Sequence, residues 1–188
     1  MTENKPPTEA PPKGDVREPS LVLINTGDGK GKSTAAFGTL LRAVSRGWKV
    51  GVIQFLKSGE WQVGEEKILT GLGVAWWSMG DGFTWDSKDI DESEAIAREA
   101  WARARELIGS GEYDVILLDE VTYPINWGWI DVSEVVATIT ERPRRTSVIL
   151  TGRDAPEPLV EIADTVTEMV KVKHAYDRGV MARRGIDY

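Results

Sequence analysis

Short runs of consecutive apolar residues alternate along this chain with stretches where apolar positions recur every three or four residues. Leu21-Val22-Leu23-Ile24 is such a run, the pattern of a strand covered on both faces. After a Gly-rich stretch, Ala36, Leu40, Leu41 and Val44 fall near one face of a helix, and Gly47 is placed to end it. Val50–Phe55, Val74–Ser78, Val115–Leu118, Ser147–Leu150 and Val166–Val172 read as further strands, the last at a sheet edge. Helices are expected over 62–70, from about Asp89 to Ile108 with a stripe of Ile96, Ala100, Ala104 and Leu107, over Val132–Thr140, and over 157–163. The acidic start of the long helix (Asp89, Asp91, Glu92, Glu94) and its later arginines (Arg98, Arg103, Arg105) complement a helix dipole. Met79–Ser87 reads as a loop, and residues 173–188 as irregular. Strands alternating with helices predict an α/β layer fold with right-handed crossovers.

Composition narrows the chemistry. The 188 residues suit one domain, taken as 20–188, behind a tail over 1–19 that holds five of the nine prolines. The formal charge of −7 argues against gripping nucleic acid, no apolar run is long enough to span a membrane, and no apolar stretch near the N-terminus suggests secretion, so a cytoplasmic protein is expected. There is no cysteine and one histidine, His174. Disulfides, thiolate metal sites, cysteine nucleophiles and multi-histidine zinc sites are thereby excluded. Phosphate, carboxylate and hydroxyl chemistry remain. Eight tryptophans are many for this length, and some could face a large flat ligand.

Thr26–Thr34 reads TGDGKGKST between a strand and a helix, the context of a phosphate-binding loop. Gly27, Gly29 and Gly31 allow backbone N–H groups to converge on phosphate, with Asp28, Lys30 and Thr34 in the same stretch. Lys32 supplies a point charge and Ser33 a hydroxyl for a metal. The first glycine of the usual G-x-x-x-x-G-K-[ST] spacing is displaced: position 26 is threonine and the glycine stands at 27. Val115–Glu120 reads VILLDE, an apolar strand that delivers two carboxylates to the sheet edge of the phosphate loop. Asp119 or Glu120, directly or through water, should hold Mg²⁺ (or Mn²⁺) bridged to phosphate. The same Glu120 could serve an ATPase as a base, so this motif leaves the reaction open. Together these motifs predict a three-layer, RecA-like P-loop NTPase fold around a mostly parallel sheet.

With TGDGKGKSTAAFGTLLRA at 26–43, VGVIQFLK at 50–57, GDGFTWDS at 80–87, VILLDEVTY at 115–123, VILTGRDAP at 148–156 and KHAYDRGVMARRGIDY at 173–188, the chain resembles the P-loop ATP:corrinoid adenosyltransferases from about residue 20 onward. The resemblance implies that Co(I) of a reduced corrinoid (cobalamin, cobinamide or cobyrinic acid a,c-diamide) attacks the 5′ carbon of ATP and that triphosphate leaves. The nucleophile then belongs to the substrate, which suits a chain without cysteine. It implies that Phe83 and Trp85 form an apolar wall at the lower face of the corrin, easing reduction of Co(II) by keeping the lower ligand away; packing as plain loop anchors is the alternative. It implies that Arg42 reaches the nucleotide, that an external reductant such as a flavoprotein supplies electrons, and that the enzyme is a homodimer. In the family the N-terminal segment can cover the partner's site, but residues 1–19 carry no matching motif. A P-loop ATPase or kinase, and a nucleotide-dependent corrinoid carrier, are the competing functions.

Overall fold

The computed structural model describes residues 14, 16–56, 64–80 and 90–187. Six strands form one sheet in the order β3-β2-β4-β5-β1-β6, from β1 (Val22–Thr26), β2 (Val50–Gln54), β3 (Ala75–Ser78), β4 (Val115–Asp119), β5 (Ser147–Thr151) and β6 (Thr165–Glu168). Every strand pairing is parallel. Helices α1 (Lys32–Val44), α2 (Gly64–Gly71), α3 (Ile90–Ser110), α4 (Thr122–Asn126), α5 (Val132–Thr140) and α6 (Glu157–Ile162) connect them. This is the expected three-layer α/β architecture.

Strand β4 shows why the layers form. All five of its residues are buried. Ile116 and Leu118 pack among residues of α3, α5 and α6, whereas Val115 and Leu117 pack with α1 and Leu69 of α2. A strand's side chains alternate between faces, so a continuous apolar run needs a helical layer on each side. Each such side chain contributes about 1.5–3 kcal/mol on burial.

Two helical stripes differ from the sequence reading. On α1 the buried set is Ala36, Phe37, Leu40 and Ala43, while Leu41 is exposed. On α3, Ala97 and Trp101 are buried with Ala100 and Ala104, and Ile96 is only partly covered. The expected Ala36, Leu40, Ala100, Ala104 and Leu107 are buried, and only the edge of each stripe differs, where a large aromatic, Phe37 or Trp101, takes the core place expected of a branched aliphatic. Short α4 was not anticipated. The strand expected over Val166–Val172 is shorter, since it stops at Glu168 and its four residues are exposed at the sheet edge. Phe83 and Trp85 lie outside the described residues.

Sheet order sets the site. The phosphate-loop strand β1 and the acid-bearing strand β4 are separated by β5. Registers Asn25↔Thr151, Leu118↔Leu150 and Gln54↔Asp119 bring the carboxyl ends of these strands to one rim.

Candidate functional site

The displaced glycines of the phosphate loop answer to a neighbour distant in sequence. Beyond β6 the chain crosses directly over the loop. Met169 donates its N–H to Thr26 O at 2.8 Å, and Gly29 N–H donates to Met169 O at 2.6 Å. A Cβ at Gly27 or at Gly29 would stand 2.6 Å from Met169 O, closer than side-chain carbons approach. Thr26 pairs with Glu168 as a strand residue, and its Oγ1 accepts from Ala155 N–H at 3.1 Å. Position 26 therefore needs a strand residue, and the glycines belong where the crossing backbone leaves no room. Gly27 and Gly31 also hold positive φ values of 92° and 117°, which glycine adopts without steric cost.

Lys32 opens α1, and its Nζ donates to Gly27 O at 2.6 Å and Gly29 O at 2.8 Å. Asn25 Nδ2 donates to Lys32 O at 3.1 Å and pins the start of the helix. Burial, and then the neighbouring Arg153 cation, push the Lys32 ammonium below the usual lysine range; Asp28 and Glu120 work the other way. A partly desolvated cation is thus held over the hollow of the loop, where added negative charge would be most strongly attracted.

The two acids of VILLDE have separate surroundings. Asp119 is fully buried, accepting from Gln54 Nε2 at 3.0 Å and from Thr151 Oγ1 at 2.7 Å. Glu120 has φ of 64° and donates its N–H to Thr151 Oγ1 at 2.9 Å. It lines the cavity that the phosphate loop opens into, as do Lys32 and Ser33. A strained non-glycine residue at such a rim is typical of functional sites. The Ser33 hydroxyl and the Glu120 carboxylate are hard oxygen donors on one cavity, the chemistry that Mg²⁺ shared with phosphate requires.

That cavity has a volume of about 450 Å³. Asp28, Gly29, Lys30, Gly31, Lys32, Ser33, Thr34 and Glu120 all line it, and so are brought together. Asp119 stands behind its wall. Arg42 does not reach it: this residue lies ten positions beyond Lys32 on α1, about 15 Å along the axis. It lines a different cavity, with Leu21, Arg46 and Trp48.

Sequence reasoning missed several lining residues. Arg153 follows β5, 3.4 Å from Asp28 Oδ1. Tyr123 sits on α4, and burial followed by the Glu120 charge raises its hydroxyl above the usual tyrosine range. Its ring leads outward to Trp127 at 5.8 Å, and Trp127 meets Trp129 at 4.7 Å, with Trp127 41% exposed. Lys171, His174, Tyr176, Asp177 and Asp187 come from the C-terminal arm. His174 Nδ1 accepts from Tyr176 N–H at 3.1 Å and caps a 3-10 turn over Ala175–Arg178. Lys30 Nζ lies 2.7 Å from Asp187 Oδ1. Hydrogen bonding from Lys30, then from the Arg183 N–H, holds the Asp187 carboxyl below the usual carboxylate range. The advance signals for this wall were the resemblance carried by KHAYDRGVMARRGIDY at 173–188 and the clustering of Lys171, Lys173, His174, Arg178, Arg183 and Arg184 in a stretch without apolar periodicity.

The family model described as ATP:corrinoid adenosyltransferase BtuR/CobO/CobP matches residues 18–188. The chain is 46% identical over 171 residues to a corrinoid adenosyltransferase of Escherichia coli strain K12, covering 91% of this chain and 87% of that one. It is 40% identical over 171 residues to corrinoid adenosyltransferase CobA of Salmonella typhimurium strain LT2, with 91% and 87% covered. Among solved structures, flagellar accessory protein FlaH from Methanocaldococcus jannaschii shares the fold, with a TM-score of 0.50 at 14% identity over 80% of this chain and 71% of that one.

Proposed function

Because the chain belongs to the ATP:corrinoid adenosyltransferase family, we propose that the cavity between the phosphate loop, Glu120 and the C-terminal arm is where ATP gives its adenosyl group to a corrinoid. The protein is an ATP:corrinoid adenosyltransferase, acting in cobalamin biosynthesis or salvage. The observation that carries the placement is the convergence of Lys32, Ser33, Glu120 and Arg153 on one cavity.

In the reaction the electron pair of Co(I) forms the cobalt–carbon bond at C5′. The C5′–O bond breaks, and its electrons leave with triphosphate. Negative charge therefore grows on the leaving group. Lys32, Lys30, Arg153 and the N–H groups at the start of α1 oppose it, aimed beforehand at the place where it develops. With Gly29 N–H committed to Met169 O, this cradle is built from the Gly31–Thr34 side. Ser33 and Glu120 would hold Mg²⁺ (or Mn²⁺), and that ion would add positive charge at the triphosphate oxygens.

Phe83 and Trp85 are proposed as the apolar wall beneath the corrin. Exposed Trp127, in ring contact with cavity-lining Tyr123, supports a flat apolar substrate at this rim. Electrons for cobalt come from an external reductant such as a flavoprotein. We assign the enzyme to the cytoplasm as a homodimer; exposed Val166 on edge strand β6 and exposed Val170 just after it are surface that a second copy would cover. Among the described residues no helix is long and apolar enough to cross a membrane, and the net charge of −7 does not favour nucleic acid.

The test is product analysis. Protein, ATP, Mg²⁺ and chemically reduced corrinoid should yield a light-sensitive cobalt–carbon product and one triphosphate per product. ADP and phosphate without that product would replace this reading with an ATPase or kinase.

A further inference from the structure

A polar row, partly covered at Trp76 and Ser78 and buried from Gln54 to Thr151, crosses the sheet at the carboxyl ends of its strands. Trp76 Nε1 donates to Ser78 Oγ at 3.1 Å, and Ser78 Oγ donates to Gln54 Oε1 at 3.4 Å. Gln54 Nε2 donates to Asp119 Oδ2 at 3.0 Å, and Thr151 Oγ1 donates to Asp119 Oδ1 at 2.7 Å. Thr151 Oγ1 then accepts the Glu120 N–H at 2.9 Å. Gln54 is 1% exposed, and Asp119 and Thr151 are 0% exposed. A hydroxyl has one proton to give and two lone pairs to receive with. The Thr151 proton goes to Asp119, so a lone pair is left for the Glu120 N–H.

We propose that Asp119, Gln54 and Thr151 form a positioning set that turns Glu120 into the cavity, and that Asp119 is not itself a metal ligand. This rests on the reading of Glu120 as the carboxylate that meets the nucleotide's metal. Three observations carry it. Each Asp119 oxygen is bonded to a buried neighbour on a flanking strand. Thr151 touches both Asp119 and the Glu120 backbone, linking the buried acid to the rim. Glu120 adopts φ of 64°, a conformation that an L residue keeps only where its surroundings over-determine it. The adjoining turn is clamped as well, because Thr122 Oγ1 donates to Arg153 O at 2.6 Å. A buried carboxylate thus serves as an anchor, and the strained residue after it presents the working carboxylate.

The experiment measures Mn²⁺ affinity of the enzyme–ATP complex by electron paramagnetic resonance, alongside melting temperature and kcat and KM for ATP. Thr151→Val keeps the volume and removes both hydrogen bonds. It should weaken Mn²⁺ about tenfold, the usual size of an effect transmitted through a ligand's supporting bonds, and lower kcat more than it raises KM. Thr151→Ser should restore Mn²⁺ affinity to within about twofold. Combined with Glu120→Gln, Thr151→Val should add nothing further. Gln54→Met gives a second route should Thr151→Val fold poorly; it should also weaken Mn²⁺, by about tenfold at most because it acts one bond further from Glu120. Normal Mn²⁺ affinity in Thr151→Val and Gln54→Met, with Glu120→Gln impaired, overturns the positioning role and leaves the Glu120 reading intact. Normal affinity in Glu120→Gln removes the Glu120 reading itself. Further loss on adding Asp119→Asn to Glu120→Gln makes Asp119 a ligand and overturns the proposal.

Discussion

The proposed nucleotide cavity has two walls built in opposite ways. On one side Glu120 stands on Asp119, Thr122 and Thr151, all fully buried and joined by hydrogen bonds between the ends of β4 and β5. On the other side runs the C-terminal arm, with Val172 92% exposed, Tyr176 76% and Met181 86%. The arm is held by the backbone bonds of Met169 and by surface ion pairs such as Lys30–Asp187 and Lys171–Asp177. The buried wall can keep charges aimed without paying to reorder them during reaction. The exposed arm belongs to the low-stability end of the structure, from which moving elements are drawn. A reaction between two large substrates needs both: a fixed place for developing charge and a wall that can yield.

The largest expected effect lies where both walls face the phosphate loop. Lys32→Ala should lower adenosylation about 10²-fold or more, the cost of removing one aimed group that meets developing charge. The melting temperature should hold, because the lysine cation is itself held against a desolvation penalty. Turnover and thermal unfolding measured together decide this. Unchanged turnover would mean that the loop does not carry the triphosphate.

Two glycine variants then compare the walls directly. A Cβ at Gly152 would fall 2.0 Å from Thr122 Oγ1, at φ of 141°. That hydroxyl is tied to Arg153 O, so Gly152→Ala adds backbone strain to overpacking and should cost about 3 kcal/mol or more in unfolding free energy. Gly29→Ala instead pushes on Met169, where the arm joins the loop. Its cost should be about 1–3 kcal/mol, appearing chiefly as weaker ATP binding, since the arm can lift. Chemical denaturation and ATP titration of both variants would separate them. Equal stability losses would dissolve the contrast between a rigid and a yielding wall.

What the sequence made legible follows the same division. The buried wall was readable because its chemistry sits in compact patterns: VILLDE needs a parallel strand covered twice, and GKS needs a loop before a helix. The shifted glycine could be seen, but its cause could not, since Met169 lies about 140 residues away and meets Gly29 only through the pairing of β1 with β6. Asp119 and Glu120 looked equivalent in sequence, and only the left-handed turn at Glu120 separates anchor from rim. Arg42 sits on the correct helix but at its far end. The arm showed itself in sequence only as a family-like motif, and its structure stayed hidden because its order comes from ion pairs and one histidine cap, none of which imposes a period on the residues.

The smallest effect tests the arm's attachment. Asp187 is an exposed carboxylate whose pKa is lowered, first by hydrogen bonding from Lys30 and then by the Arg183 N–H. A depressed carboxylate contributes its attachment fully above the ordinary aspartate value of about 3.9 and loses it as pH falls through the lower folded value. The latch is therefore closed at neutral pH and opens only in acid, so pH changes between 6 and 8 should not move it through Asp187. Salt should, because exposed ion pairs are screened. Asp187→Asn should loosen the arm where it meets Lys30 and raise the dissociation rate of ATP by about twofold, in keeping with the small value of surface pairs. The same shift should appear in the unaltered enzyme at high salt, and the variant should be less sensitive to salt than the parent. Stopped-flow release of a fluorescent ATP analogue at low and high ionic strength measures both. Loss of thermal stability in Asp187→Asn comparable to that of Gly152→Ala would show that the arm is part of the rigid frame, and the two walls would then have to be counted as one.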